Sequence, residues 1–409
     1  MATFSIADRE HMARALRLAR EGLYTCDPNP RVGCVLAAAE ADVDADKARK
    51  KDAAESASSV AARVVGEGFH RCAGDAHAEV NALQQAGEHA RGATAYVTLE
   101  PCSHTGRTGP CARALVEAGV ARVVVAMQDP NPRVSGQGIA LLEEAGVAVD
   151  VGLLESDARD INPGFIARMT RRRPFVRLKM AMSLDGRTAM GSGESQWITG
   201  PEARTSVQRL RARSSAVMSG VESVIMDDSR LTLRAGQLDL TNADEVVRRQ
   251  PLRVIVDTRL RLPRAAACLS EPGRTLVVTV PGHDAGKRAA LEAAGADVVS
   301  LAPDAAGRVD LVNLMNHLAV EEDVNELLLE TGATLAGAML EAGLIDELWL
   351  FMAPTLLGGG ARGLFALPGL ERMADRHQLT IDDIRAVGQD YRIIATPLPT
   401  GAAGSGKVP

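Results

Sequence analysis

Near the N-terminus, Met12, Ala15, Leu16 and Ala19 share one helical face, which predicts an amphipathic helix over residues 5–21. Val32 to Leu36 is a short continuous apolar run and predicts a buried strand. The pattern then stops. Residues 37–62 are rich in Ala, Asp, Lys and Ser and carry no aromatic side chain, and apolar character returns only at Val64, Val65 and Phe69. This segment is expected to be an insertion at the tip of a hairpin, mobile or weakly helical. Its charges run acidic (Glu40, Asp42, Asp44, Asp46) and then basic (Lys47, Arg49, Lys50, Lys51). A solvated loop is the favoured reading and a docking element the alternative.

Regular alternation follows. A helix is predicted from His77 to about Ala86, a strand over Ala93–Leu99, a loop with two cysteines, and a helix from Cys111 to Gly119. Strand Arg122–Ala126, a helix around Ile139–Ala145 and strand Val147–Val151 complete the series, implying a mostly parallel sheet with helices on both faces. One helix over Glu155–Arg168 leads to Arg171-Arg172-Arg173-Pro174, where the proline discourages continuation. From Phe175 a second α/β series begins, with strands at Val176–Met182, Ala216–Met218, Arg253–Asp257, Thr275–Val280, Asp297–Ser300, Glu326–Leu329 and Glu347–Ala353. Helices are expected at Pro201–Ala212, Ala285–Ala293, Leu311–Ala319 and Ala333–Ala342, and paired strands near Gln378–Ile381 and Tyr391–Thr396 close the sheet. The chain thus divides into α/β domains over 1–152 and 175–398, a connecting helix and linker over 153–174, and a Gly/Ala/Ser-rich tail over 399–409 expected to be disordered.

Composition narrows the function. With 409 residues, 46% hydrophobic and 24% charged, each domain can bury a core. A net charge of −6 offers no basic field to a nucleic-acid backbone, and 3% aromatics offer few stacking platforms, so a small molecule is the expected substrate. The six cysteines show no pairing rhythm, which fits a reducing compartment. Asp8, Arg9, Glu10 and Arg14 stand where a signal peptide would need an apolar run, so a cytoplasmic location is expected, without a membrane partner.

The chemistry concentrates in His77-Ala78-Glu79, Pro101-Cys102 and Cys111. One imidazole and two thiolates give a tetrahedral Zn²⁺ three protein ligands and leave the fourth position open to water, as catalytic zinc sites require. Glu79, two residues past the histidine, can stay off the metal and move protons. In zinc nucleobase deaminases a metal-bound hydroxide attacks an amino-bearing ring carbon while such a glutamate acts as general acid/base. His77 and Cys111 fall at predicted helix starts, whose positive ends favour the thiolate. A purely structural site would need a fourth ligand, for which His104 and Cys72 are the nearby candidates.

Asn29-Pro30-Arg31-Val32-Gly33-Cys34, Ala73-Gly74-Asp75-Ala76-His77-Ala78-Glu79 and the run from Pro101 through Ser103-His104-Thr105-Gly106-Arg107-Thr108-Gly109-Pro110 to Cys111 resemble the deaminase half of the bifunctional riboflavin-biosynthesis enzymes. The long gap between the cysteines separates that family from ordinary cytidine and tRNA deaminases. The resemblance implies a cytidine-deaminase-like three-layer α/β/α domain. It implies that Asn29 helps bind the pyrimidine ring, and that His104 and Arg107 help bind the ring or the ribose phosphate. Asn29-Pro30 alone reads equally as a turn, and His104 equally as a loop-packing residue.

Lys179-Met180-Ala181-Met182-Ser183-Leu184-Asp185-Gly186-Arg187-Thr188-Ala189 and Ser192-Gly193-Glu194-Ser195-Gln196-Trp197-Ile198-Thr199 resemble the reductase half of the same family, a domain similar in fold to dihydrofolate reductase. There is no G-x-G-x-x-G fingerprint, so a Rossmann reading fails. The resemblance gives NADPH to Ala181, Trp197, Ser223, Asp227 and the turn Gly332-Ala333-Thr334-Leu335-Ala336-Gly337, where a helix start can hold phosphate. It gives the substrate to Ser195, Arg211, Leu231, Arg234 and Glu330. Arg211 and Arg234 are forked cations suited to a sugar phosphate; the alternative for Arg211 is one solvated arginine among several on its helix. Lys179 and Asp227 are candidate proton donors. Gly358-Gly359-Gly360 reads as a flexible turn, and Trp349 as core. Ser229 stands where the family often has proline, and Met182 and Met226 replace smaller residues.

The implied function is two successive steps of riboflavin synthesis. The first is deamination of 2,5-diamino-6-(5-phosphoribosylamino)pyrimidin-4(3H)-one to 5-amino-6-(5-phosphoribosylamino)uracil. The second is NADPH reduction of the ribose to a ribityl chain. One Zn²⁺ per chain, NADPH and a homo-oligomer are implied with it. The alternatives are a zinc deaminase with a silent reductase-like domain and a zinc-stabilised nucleotide sensor.

Overall fold

The structure, a computed structural model, describes residues 3–38, 63–103, 109–132 and 134–399. Most of the 37–62 insertion, the tail from 400 onward, and His104 and Arg107 lie outside the described residues. The chain forms two compact units that divide between Arg171 and Arg172.

In the first unit, helix α1 (Ile6–Glu21) opens on Ser5, whose hydroxyl accepts from the Asp8 N–H while the Asp8 carboxylate accepts from the Ser5 N–H. This reciprocal box satisfies two N-terminal donors that the helix cannot. Strands β1 (Gly33–Ala37) and β2 (Val64–Phe69) follow, then helix α2 (Ala78–Ala86), β3 (Thr94–Val97), α3 (Cys111–Glu117), β4 (Arg122–Val125), α4 (Gln137–Glu144) and β5 (Ala148–Val151). The strands lie in the order β2-β1-β3-β4-β5. The expectation of a mostly parallel sheet is corrected here. β1 runs antiparallel to both β2 and β3, and only β3-β4 and β4-β5 are parallel. β1 and β2 are a hairpin around residues 38–63, which needs no crossover helix.

The predicted single helix over Glu155–Arg168 is two, α5 (Glu155–Ile161) and α6 (Pro163–Arg171). Pro163 has no N–H to continue the first. Asn162 at the break instead accepts from the Arg31 N–H at 2.8 Å and donates to the Arg31 carbonyl at 2.9 Å. One face of the sheet packs on Met12, Ala15, Leu16, Ala158, Ile161 and Phe165 of α1, α5 and α6. The other packs on Ala78, Ala82, Leu115 and Leu142 of α2, α3 and α4, completing the α/β/α layers expected of a cytidine-deaminase-like domain. Gly33 lets α1 sit close on β1, because a Cβ there would lie 2.0 Å from the Ala15 carbonyl oxygen.

The second unit has the α/β build of a dihydrofolate-reductase-like domain. Its elements are β6 (Phe175–Ser183), β7 (Arg187–Ala189), α7 (Pro201–Arg213), β8 (Ala216–Gly220), α8 (Val221–Asp227), β9 (Leu252–Val256), β10 (Thr275–Thr279), α9 (Ala285–Ala293), β11 (Ala296–Ser300), α10 (Leu311–Val320), β12 (Glu326–Glu330), α11 (Ala333–Glu341), β13 (Glu347–Ala353), β14 (Arg362–Gly363), β15 (Leu379–Val387) and β16 (Asp390–Pro397), with shorter helical turns between. The sheet order is β11-β10-β9-β8-β12-β6-β13-β16-β15. Strands β11 to β13 are parallel, and β16 and β15 are antiparallel. Helix α8 and the small β7–β14 pair were not foreseen. α8 is only seven residues, too short to show periodicity. Trp349 is half-buried, with its indole N–H donating to Glu347 at 2.6 Å and Arg392 stacked on its ring. No helix among the described residues is long and apolar enough to cross a membrane.

Candidate active sites

In the first unit, His77 is the N-cap of α2, Cys111 is the first residue of α3, and Cys102 follows the loop that leaves β3. Their ligand atoms converge within 4.8 Å of one another. His77 Nδ1 lies 3.3 Å from Cys111 Sγ and 3.6 Å from Cys102 Sγ. Zn–N near 2.05 Å and Zn–S near 2.3 Å put ligand atoms of a tetrahedral ion roughly 3.5 Å apart. A soft, borderline cation therefore fits this donor set. Among the described residues Cys72 does not join the group.

The hydrogen bond with Cys111 holds the Cys102 thiol down at about 4, and the Cys111 backbone N–H donates to its sulfur at 3.3 Å. The same bond, with burial, pushes Cys111 far up. A divalent cation held here would need both sulfurs as thiolates. Glu79, 3% exposed in the first turn of α2, faces these sulfurs; burial and then the negative Cys102 raise its pKa to about 7. A carboxyl poised near neutrality can both take and give a proton.

Asn29 lies at the rim, with its Nδ2 3.0 Å from His70 Nε2. The other nitrogen of His70 sits 3.2 Å from the Ala76 carbonyl. A neutral ring that donates from Nδ1 to Ala76 therefore accepts from Asn29 through Nε2. Burial lowers the His70 pKa and keeps it neutral, and its ring stands edge-on to His77 at 5.3 Å. His70 was missed in the sequence. It sits at the end of β2, outside the His77 motif, and nothing in its neighbours announces Asn29 as a partner.

In the second unit a cavity of about 1360 Å³ opens along the C-terminal ends of β6, β8, β9 and β12, where open α/β sheets bind ligands. Lys179, Ala181, Ser195, Trp197, Arg211, Ser223, Asp227, Leu231, Arg234 and Glu330 all line it, as do Gly332, Ala333, Thr334 and Leu335. Ala336 and Gly337 do not. Ala336 is fully buried in the core, and Gly337 packs where a Cβ would lie 2.1 Å from the Ala366 carbonyl oxygen. The Gly358–Gly360 run also lies outside the cavity, with its first N–H held by Asp185 at 2.8 Å.

The fork of Arg211 is committed inside the unit. It donates to both Glu330 oxygens at 2.5 and 3.0 Å and to the Thr232 carbonyl at 3.0 Å. Lys179 Nζ lies 3.9 Å from the same carboxylate. Burial lowers the Lys179 pKa, Glu330 opposes that, and Arg211 adds to it. Arg234, by contrast, has no side-chain partner among the described residues. Trp197 is 71% exposed at the mouth, with Arg204 stacked on its ring. Gly332 caps α11 without any side-chain hydrogen bond to the helix, leaving N–H groups of its first turn open toward the cavity. An uncapped N-terminus in a cleft of this size fits the diphosphate of a dinucleotide.

Residues 5–127 match the family described as the cytidine and deoxycytidylate deaminase zinc-binding region, and residues 174–393 match that described as the RibD C-terminal domain. The chain is 47% identical over 386 residues to the riboflavin biosynthesis protein RibD of Escherichia coli strain K12, covering 94% of this chain and 97% of that one. Its structure is similar to that of Acinetobacter baumannii RibD, form 1, with a TM-score of 0.83, 44% identity, and coverage of 96% and 99%. It is also similar to a diaminohydroxyphosphoribosylaminopyrimidine deaminase/5-amino-6-(5-phosphoribosylamino)uracil reductase from Thermotoga maritima, with a TM-score of 0.77, 28% identity, and coverage of 96% and 99%.

Proposed function

Since this chain belongs to the RibD family of bifunctional riboflavin-biosynthesis enzymes, we propose that its two units carry the two reactions through the residues described above. The enzyme is a zinc-dependent pyrimidine deaminase and an NADPH-dependent reductase. The observation that carries the residue assignment is the buried Glu79 beside a one-nitrogen, two-sulfur triad in one unit, with a lysine–carboxylate–arginine cluster lining the cavity of the other.

For deamination, His77, Cys102 and Cys111 would hold the zinc, which supplies the Lewis acidity that makes water nucleophilic near neutral pH. Glu79 takes the proton from the attacking water and returns it to the departing amino group, which leaves as ammonia. Asn29, steadied by His70, presents its amide oxygen to a ring donor of the pyrimidine, and His104 and Arg107 complete the ring or phosphate contacts. We assign this work to residues 1–152, supported by α5 and α6, which occupy most of the stretch 153–174 expected as a connection and pack on the sheet of the same unit.

For reduction, residues 175–398 bind NADPH, which supplies a hydride to ribose C1′. Its diphosphate suits the start of α11 at Gly332–Leu335, where the Gly332 N–H donates to Ser223 Oγ at 3.0 Å, while Ala181, Trp197, Ser223 and Asp227 complete its cleft. Arg234 has an uncommitted guanidinium suited to the substrate phosphate. Glu330, with Arg211 behind it, accepts from substrate hydroxyls, and Ser195 and Leu231 wall the substrate. Lys179 is the better-placed proton donor of the two candidates. Its part-buried ammonium can give a proton to the ring oxygen as the sugar opens, whereas Asp227 is exposed, with Ser195 Oγ 3.5 Å from its carboxylate. Ile381 and Ile384, exposed by 59% and 57% on the edge strand β15, suit burial against a second copy, and a cytoplasmic homo-oligomer is part of this reading.

The test supplies the diamino pyrimidine phosphate and NADPH to the purified chain and follows ammonia release and the reduced-cofactor absorbance separately. A chelator is expected to stop ammonia release while leaving reduction of the deaminated substrate intact. Glu79→Gln is expected to keep the zinc and slow deamination by roughly 10²- to 10⁴-fold. A preserved deamination rate in that variant would overturn the assignment of Glu79.

A further inference from the structure

The cavity of the second unit follows the sheet from β6 past β12 and β8 to β9, three strand spacings or roughly 14 Å. Lys179 and Glu330 mark one end, the open start of α11 the middle, and Thr258 and Arg259, just past β9, the other end. On the cofactor reading above, a dinucleotide whose diphosphate sits at α11 and whose nicotinamide faces Lys179 has its adenosine ribose beside Thr258.

Three arginines line that far end, and their commitments differ. Arg261 is held by Glu222 at 2.8 Å. Arg308 is held by Asp304 at 3.1 Å, and the Asp304 carboxylate also accepts from the Ala306 and Arg308 N–H groups of its own turn. Each of these charges is neutralised locally. Arg259 is exposed and has no partner among the described residues, so it leaves one uncompensated positive charge at this end of the cavity.

The backbone beneath Arg259 is anchored. The Thr258 carbonyl accepts from the Thr279 hydroxyl at 3.1 Å and lies 2.5 Å from His283 Nε2, and the Thr258 hydroxyl accepts from the Val309 N–H at 3.3 Å. That last bond ties the Asp304–Arg308 turn to the end of β9. We propose that Arg259 is the residue that selects NADPH over NADH, by pairing its guanidinium with the 2′-phosphate of the adenosine ribose. NADH carries a hydroxyl there and gains nothing from an exposed cation, whereas a phosphate forms charge-assisted hydrogen bonds with a guanidinium fork.

The test is equilibrium binding to the full-length protein by calorimetry, with NADP⁺, NAD⁺, 2′,5′-ADP and 5′-AMP as probes. Arg259→Ala is expected to weaken NADP⁺ and 2′,5′-ADP by roughly 10- to 100-fold, the range of a charge-assisted hydrogen bond. NAD⁺ and 5′-AMP should be unchanged, Arg259→Lys should fall between, and Arg261→Ala should leave the preference in place. If Arg259→Ala keeps the wild-type ratio of NADP⁺ to NAD⁺ affinity, or if Arg261→Ala abolishes it, the proposal is overturned. A wild-type protein that binds both dinucleotides equally also overturns it while leaving the reductase reading standing. A wild-type protein that binds neither removes both.

Discussion

Arg211 and Glu330 form a two-point ion pair, at 2.5 and 3.0 Å, at the floor of the reductase cavity. They are 119 residues apart in sequence and come from α7 and the last position of β12. Glu330 is the negative centre of a small cluster, since Lys179 approaches it from the neighbouring strand β6. Removing the carboxylate leaves two cations with little solvent access facing each other. Glu330→Ala is therefore expected to cost about 3 kcal/mol of stability, the scale for breaking a buried pair from one side. Glu330→Gln keeps the shape and should cost less. Urea denaturation of both variants checks this, and equal stability to wild type would mean that the pair is solvated in practice. The reductase KM should rise in both if, as proposed, the same carboxylate accepts from substrate hydroxyls.

The contact between Asn29 and His70 makes a prediction for the other unit. The imidazole receives a hydrogen from Asn29 and gives one to Ala76, so its tautomer fixes which way the Asn29 amide faces. His70→Ala should free that amide to rotate. A neutral hydrogen bond is worth about 1 kcal/mol, so the KM for deamination should rise by roughly fivefold, with zinc content unchanged. His70→Gln, which can still accept from Asn29, should restore part of the loss. A variant with lowered zinc occupancy whose loaded fraction keeps the wild-type KM would show instead that His70 serves the metal site through its edge contact with His77.

These two pairs also mark what the chain discloses before folding. His77, Glu79, Cys102 and Cys111 were legible because metal and proton chemistry demands particular side chains at short spacings. The two-layer periodicity of α1 and the apolar strands of both sheets were legible for a similar reason, since burial imposes a period on local sequence. Strand direction was legible only at the expected hairpin, which makes β1 and β2 antiparallel; nothing in the apolar run Val32–Leu36 tells that β3 also runs against it. Polar partners such as Asn29 and His70, 41 positions apart, were not legible, because hydrogen-bonding capacity does not name its recipient. The commitment of Arg211 to Glu330 is of this kind. On the sequence its fork was free for a phosphate, and only the fold shows it occupied. The break at Asn162-Pro163 was open to reading, since a proline inside a helical pattern ends or kinks it.

Acid should loosen the first unit through Asp8. Burial alone would raise its pKa, but hydrogen bonds from Arg122, from the Ser5 backbone and from Tyr96 outweigh it and hold the carboxyl at about 2. Because the folded value is depressed, its contribution is fully present above the unfolded value near 3.8 and is lost as pH falls toward 2. The shift corresponds to about 2 kcal/mol. Asp8→Asn should therefore lower the urea midpoint clearly at pH 6, with a gap from wild type that narrows as pH falls from 4 to 2. A gap that stays constant across that range would assign the loss to packing rather than to charge.

Glu100 makes the strongest demand on its exact chemical form. It is 5% exposed and stands two residues before Cys102 of the proposed zinc triad. One of its oxygens accepts from the N–H groups of Asp129 and Gly136 at 3.1 and 2.9 Å, the other from those of Gly138 and Ile139 at 2.9 and 3.4 Å. All four donors converge on a group that must accept on both sides, which only an ionised carboxylate can do. Glutamine would turn an NH₂ toward two N–H groups, leaving them unsatisfied against a buried side chain. The neighbouring backbone has no slack, since a Cβ on Gly138 would lie 1.9 Å from the Pro101 carbonyl oxygen. Glu100→Gln is expected to cost about 3 kcal/mol. By displacing the chain that leads to Cys102, it should also weaken zinc binding roughly tenfold, as loss of a metal site's outer support does. Competition with a chromophoric chelator measures the second effect, while reduction of the deaminated substrate should be untouched. Unchanged zinc affinity would confine Glu100 to holding the loop and free Cys102 from its influence.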